Sequence, residues 1–230
     1  MTNTPPLRVL VAGGTGDVGE GIVRALLDRD FAVVVPVRAK EKGDRLLDAI
    51  GQTDQLALIP GAVGELEGAQ VLAQLVAASG PLNAVVASLG GWWQGGPLVG
   101  VSAEEWHQVI ADNLTSHYAV ARAFVPLLQR SGGTYVQILG AAAEFPVPNS
   151  SLVSITAAAV AMLGRSLHAE SEGTGVRVRQ IMIAALVATR SRPATDVTGV
   201  SAEEVGALAA ELIADEHGSA PLVSRLPRSG

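Results

Sequence analysis

Gly13, Gly14, Gly16 and Gly19 stand together near the start of the chain. They are spaced both as G-x-G-x-x-G from Gly14 and as G-x-x-G-x-x-G from Gly13. Glycines at this spacing allow a tight turn and let a phosphate approach the backbone closely. The chemistry they suit is the holding of a pyrophosphate by backbone N–H groups at a helix N-terminus. A plain structural turn is the alternative, and the flanking segments decide between the two. Leu7 to Val11 is a short apolar run of buried-strand composition, and a helical period follows. Ile22, Val23, Leu26 and Leu27 form its apolar stripe, with Glu20, Arg24 and Asp28 opposite. Strand, glycine turn and helix in this order favour the dinucleotide reading. Gly13, Thr15, Gly16, Asp17, Val18 and Gly19 are its expected contacts.

A second basic group stands where such a unit discriminates between cofactors. Phe31 to Val37 reads as the second strand. An NAD-preferring unit carries Asp or Glu at that strand's end, to hold the ribose hydroxyls. Val37 occupies this place and Arg38 comes next, with Lys40, Lys42 and Arg45 beyond. An arginine here suits the extra phosphate of NADP, so NADP(H) is expected in preference to NAD(H). A solvated basic loop is the other reading.

Other chemistry-bearing groups are sparse. His107, His117, His168 and His217 lack metal-ligand spacing, so no metal is expected. Ser150, Ser151 and Ser154 have no base clearly placed to activate them. Asn113 lies on or beside the apolar stripe of a helix, where an amide needs a partner; it is a satisfied core group or a site residue. Glu144 follows the fifth strand at the expected cleft and is the best titratable candidate left, though a surface or loop carboxylate is the reading that ranks ahead. Trp92 and Trp93, in a glycine-rich loop after the fourth strand, either wall a substrate pocket or cover a hydrophobic edge.

The 230 residues suit one domain with a substantial core. Nearly half are apolar, alanine dominates and aromatics are few, which fits helices packed closely on a sheet. A net charge of −6 without any basic run argues against nucleic acid as a partner. The lack of cysteine excludes disulfides, thiolate metal sites and cysteine nucleophiles. No signal-peptide pattern opens the chain, and no segment reads as a membrane span, so a cytoplasmic protein is expected without membrane partners.

Further strands are expected over 56–59, 83–87, 135–139 and 176–183, with a closing edge strand over 221–226. Ser102 to Glu105 and Ser201 to Glu204 are capping boxes opening two helices. The first helix should run unbroken to about Gln129, with a buried stripe of Trp106, Ile110, Leu114, His117, Ala121, Phe124 and Leu128. Another helix spans 150–172. Alternating strands and helices imply an α/β Rossmann fold, a doubly wound parallel sheet with helices on both faces. A single domain covers 1–230, with a tail over 1–6 and a substrate loop over 188–200.

From the glycine turn through the sixth strand the chain resembles the short-chain dehydrogenase/reductase family. The turn is similar to the G-x-x-G-x-x-G variant more than to T-G-x-x-x-G-x-G, because Asp17 stands at the latter's middle glycine. Ala62-Val63 occupies the place of the family's Asp-Val beside the adenine. Ala87-Ser88-Leu89-Gly90 replaces Asn-Asn-Ala-Gly. Asn113 matches the asparagine of the catalytic tetrad, and Thr189 the threonine that binds the nicotinamide amide. The resemblance thus implies cofactor contacts at Val63, Ala87, Gly90 and Thr189.

The same alignment empties the rest of the tetrad. The serine, tyrosine and lysine positions are Gly140, Val153 and Ala157, none of which transfers a proton. The only lysines are Lys40 and Lys42, so no shift of alignment restores that group. Tyr118 and Arg122 form a Y-x-x-x-R one crossover too early. Three functions follow as expectations: an NADP(H)-binding sensor or partner subunit, a reductase working without the triad, or a non-redox enzyme or binding module using the cleft. A homo-oligomer through helices 102–129 and 150–172 is the assembly that the resemblance implies.

Overall fold

The protein is described by a computed structural model covering residues 5–193 and 199–228. Seven parallel strands form its main sheet, in the order β3-β2-β1-β4-β5-β6-β9. They are β1 (Arg8–Ala12), β2 (Ala32–Val37), β3 (Leu56–Pro60), β4 (Ala84–Ala87), β5 (Thr134–Gly140), β6 (Arg177–Ile183) and β9 (Val223–Leu226). The central strands are runs of Val, Leu, Ile and Ala that are buried on both faces, as parallel strands between helices must be.

Helices α1 (Asp17–Leu27), α2 (Lys40–Ile50) and α7 (Ala202–Ala214) cover one face; Ile22, Leu26, Leu46, Val205 and Leu208 join its core. Helices α3 (Leu66–Ala78), α5 (Ser116–Ser131) and α6 (Ser151–Glu170) cover the other, with Leu72, Val76, Phe124 and Leu128 buried. This is the expected doubly wound Rossmann sheet. Order reverses between β1 and β4, so the loops after β1 and β4 diverge and leave a crevice at the carboxyl ends of the strands.

Three expectations are corrected. The helix expected from Ser102 to about Gln129 is interrupted: α4 (Ala103–Ile110) and α5 are joined by a π-turn over Ala111–Thr115. The wider turn changes the angular phase of the stripe, and Trp106 is left 40% exposed instead of buried. The segment expected as a loop over 188–200 is bounded by two short parallel strands, β7 (Leu186–Ala188) and β8 (Gly199–Ser201), which pair as a separate ribbon. Residues 1–4 of the expected tail, and 194–198 of that loop, lie outside the described residues. Finally, α6 is long and apolar enough to cross a membrane by length and composition. Its alanine-rich run is interrupted by few charges, and in this fold Leu152, Thr156, Val160, Ala161 and Gly164 are its buried residues.

Both capping boxes form. Ser102 Oγ accepts from the Glu105 N–H while Glu105 Oε2 accepts from the Ser102 N–H, and Ser201 and Glu204 repeat the exchange. Each satisfies two otherwise orphaned donors. The second box fixes the start of α7, whose Ala202 packs against Gly21 of α1.

Candidate functional site

The glycine turn is built by close backbone approach. The Gly16 N–H donates to Gly13 O at 2.9 Å, and the Glu20 N–H donates back to Gly16 O at 2.8 Å to begin α1. Gly13 has φ +86°, and a Cβ there would strike Ser88 O of the neighbouring loop. A Cβ on Gly19 would strike Gly13 O, so α1 starts directly against the turn. Gly16 is the N-cap without a side-chain capping bond, so the first N–H groups of the helix have no side chain closing them off.

This turn forms one wall of a cleft of about 660 Å³, within the range of ligand pockets. Gly13, Thr15, Gly16, Arg38, Val63, Gly90 and Asn113, all singled out from sequence, line it together. Trp92 and Trp93 also line it, with Trp92 65% exposed. The loops after β1, β2, β3 and β4 therefore meet around one space.

The other assigned positions lie behind or beside it. Gly19 supports the turn from below. Ala87 is buried at the end of β4, paired with Ala12 and Gln137. Val18 packs against the core of the α1 face. Asp17 Oδ2 accepts from Ser191 Oγ at 2.5 Å, and Ser191 Oγ lies 3.1 Å from Thr189 Oγ1. Thr189 thus sits in a turn docked on the start of α1.

Sequence reasoning left Lys42 out of the site. Of the cations after β2, Lys40 is paired with Asp44 at 2.6 Å, and Arg45 Nε donates to Glu41 O. Arg38 and Lys42 both line the cleft, and neither has an ion-pair partner among the described residues. Their spacing of four, running into a helix, was the available signal. Glu65 and Asp112 also line the cleft and were not foreseen.

Asn113 sits in the π-turn and bonds to the loop after β4. Its Oδ1 accepts from the Gly91 N–H at 2.7 Å, and its Nδ2 donates to Gly91 O at 3.2 Å. Gly90, at φ +96°, leaves room for this amide: a Cβ there would lie 2.8 Å from Asn113 Oδ1. One turn on, His117 is buried, and its Nε2 lies 3.3 Å from Leu89 O. Burial pushes its pKa down to about 4, so it stays neutral near pH 7.

The residues at the tetrad's other positions are not part of the cleft lining. Gly140 ends β5 opposite Ile183, and Val153 and Ala157 lie half-buried on α6. Glu144 also lies outside the lining. Arg225, on the edge strand β9, holds it with two bonds of 2.5 and 3.0 Å. The hydrogen bonds from Arg225 hold its carboxyl below the usual range, which favours the charged, proton-poor form. A carboxylate so engaged is poorly suited to proton donation.

The short chain dehydrogenase family pattern matches residues 8–196, and the chain belongs to that family. It is similar to an uncharacterized oxidoreductase, YvrD, of Bacillus subtilis: 25% identical over 175 residues, 76% of this chain and 66% of that protein. The match therefore spans just under two thirds of that relative's length. It is also 27% identical over 178 residues to the NADP-dependent 3-hydroxy acid dehydrogenase YdfG of Shigella flexneri, covering 75% of this chain and 70% of that protein. Among solved structures, a metagenomic short-chain oxidoreductase in complex with NADP superposes with a TM-score of 0.80. That likeness, at 21% identity, covers 96% of this chain and 95% of the other, and shows the fold.

Proposed function

We propose that the protein binds NADP(H) in the cleft and does not carry out tyrosine-dependent proton-coupled hydride transfer, acting as a nucleotide-responsive sensor or partner subunit. The observation that carries the nucleotide reading is the convergence of the glycine turn with Arg38 and Lys42 on one cleft. Close backbone approach at Gly13 and Gly19 fits a phosphate cradle, and two cations without an ion-pair partner among the described residues fit an additional phosphate. NADP in a structural neighbour and in the name of a relative agrees with this reading.

NADP(H), when bound, supplies hydride chemistry; the chain's own residues bind and orient it. Arg38 and Lys42 attract the extra phosphate, Val63 and the tryptophans offer apolar wall, and Asn113 fixes the loop that borders the cleft. The proton step finds no group able to transfer a proton at Gly140, Val153 or Ala157, and Glu144 is taken by Arg225. General acid–base help is worth roughly 10²–10⁴ in rate, so its loss slows a reductase heavily.

The test is NADPH consumption across aldehydes, ketones and quinones, run beside a binding titration. Binding without turnover is the expected result. Turnover abolished by Asn113→Ala would favour a reductase that works without the triad.

A homo-oligomer through the long helices is supported by Trp106, Tyr118, Ile155 and Met162, exposed apolar side chains on α4, α5 and α6. A dimer through these helices would cover them, and light scattering behind size exclusion reads it directly. A monomer at micromolar concentration would count against it.

A further inference from the structure

This inference rests on the nucleotide reading above and concerns which part of the nucleotide the cleft favours. The first turn of α1 carries two carboxylates, Asp17 and Glu20. Glu20 is neutralised: Arg190 Nη2 lies 3.0 Å from it and Arg24 Nη2 lies 3.8 Å away. No cation pairs with Asp17 among the described residues. Its Oδ2 is held instead by the Ser191 hydroxyl at 2.5 Å, within a turn closed by the Thr189 N–H on Arg192 O at 2.7 Å and the Arg192 N–H on Thr189 O at 3.1 Å.

An uncompensated negative charge is therefore fixed one residue beyond Gly16, which lines the cleft. It lies at the helix end whose partial positive charge would otherwise hold a phosphate. A carboxylate and a diphosphate draw on the same helix end and repel each other. The basic groups Arg38 and Lys42 line the same cleft from the segment that follows β2, not from the glycine turn after β1.

We propose that Asp17 is a specificity-determining residue that lowers the affinity of the cleft for the diphosphate of its ligand. Binding then leans on the adenosine end and on the phosphate that Arg38 and Lys42 attract. Asp17→Asn removes the charge and keeps a group able to bond Ser191. Asp17→Ser does the same with a smaller side chain, and Asp17 is exposed, so neither disturbs the core.

Calorimetric titration of ADP, NADPH and adenosine tests this. Both Asp17 variants should bind ADP and NADPH about tenfold more tightly than the wild type, with adenosine unchanged. That gain should shrink as salt rises from about 0.05 to about 0.5 M, because the repulsion is screened. Ser191→Ala, which keeps the charge, should stay near the wild-type affinity for ADP. Equal ADP and NADPH affinities in wild type and both Asp17 variants overturn the proposal while leaving the nucleotide reading intact. A gain in Ser191→Ala as large as in Asp17→Asn overturns it too, assigning the effect to loop docking. Failure of ADP, NADPH and adenosine to bind any form would remove the nucleotide reading, and this inference with it.

Discussion

Asn113 and Gly91 exchange two hydrogen bonds, so a side-chain amide pairs with a backbone as one strand pairs with the next. The π-turn over Ala111–Thr115 lies where this amide reaches the loop after β4. Extra backbone width in a helix frequently marks a functional position. Here it serves to fasten the loop bearing Trp92 and Trp93 beside the glycine turn.

Asn113→Ala removes both bonds and leaves the Gly91 N–H to water. A loss of about 1–2 kcal/mol in stability is expected, with weaker NADPH binding because a cleft wall loosens. Urea midpoints and a nucleotide titration on the same variant check this. Unchanged values in both would show that the pair does not hold the loop.

His117 gives a pH signature. Above pH 6.5 folded and unfolded chains both carry it neutral, and it contributes no pH dependence. Between 6.5 and about 4 the unfolded chain takes up a proton that the buried ring refuses. Stability therefore falls as pH falls, by about 1.4 kcal/mol per pH unit and about 3 kcal/mol in all. His117→Gln should remove this component. The difference between wild type and variant, measured by urea unfolding from pH 7 to pH 4.5, should change with pH; a constant difference would show that burial does not hold the ring neutral.

Glu144 and Arg225 form an exposed pair, so their bond is screened by solvent. Glu144→Gln should leave the urea midpoint close to that of the wild type and NADPH affinity at the wild-type value. A large loss of nucleotide binding would return Glu144 to the site from which the geometry separates it.

Much of this molecule is legible in its sequence because the signals are local. Valine-rich strands, a glycine turn leading into a helix and two Ser-x-x-Glu caps each act within a few residues. Arg38 was legible for the same reason, since it directly follows the strand that ends at Val37. Contacts between distant segments left no such trace. Nothing near Glu144 announces Arg225, which lies 81 residues further along the chain on the edge strand β9. Ser191 on Asp17 and Arg190 on Glu20 likewise depend on the path of a loop far along the chain. The π-turn escaped detection because its neighbours on either side keep an ordinary helical period. The β7–β8 ribbon, three residues per strand, is too short to show alternation.

Binding of NADP(H) in this cleft through Arg38 is what sets the proposed function. Its most direct test is a fluorescence titration with NADPH and NADH on the wild type and on Arg38→Ala. The expected result is tighter binding of NADPH than NADH, with the preference reduced about tenfold or more in the variant as a charge-assisted phosphate contact is lost. Absence of binding by either nucleotide, or a preference untouched by Arg38→Ala, would contradict it.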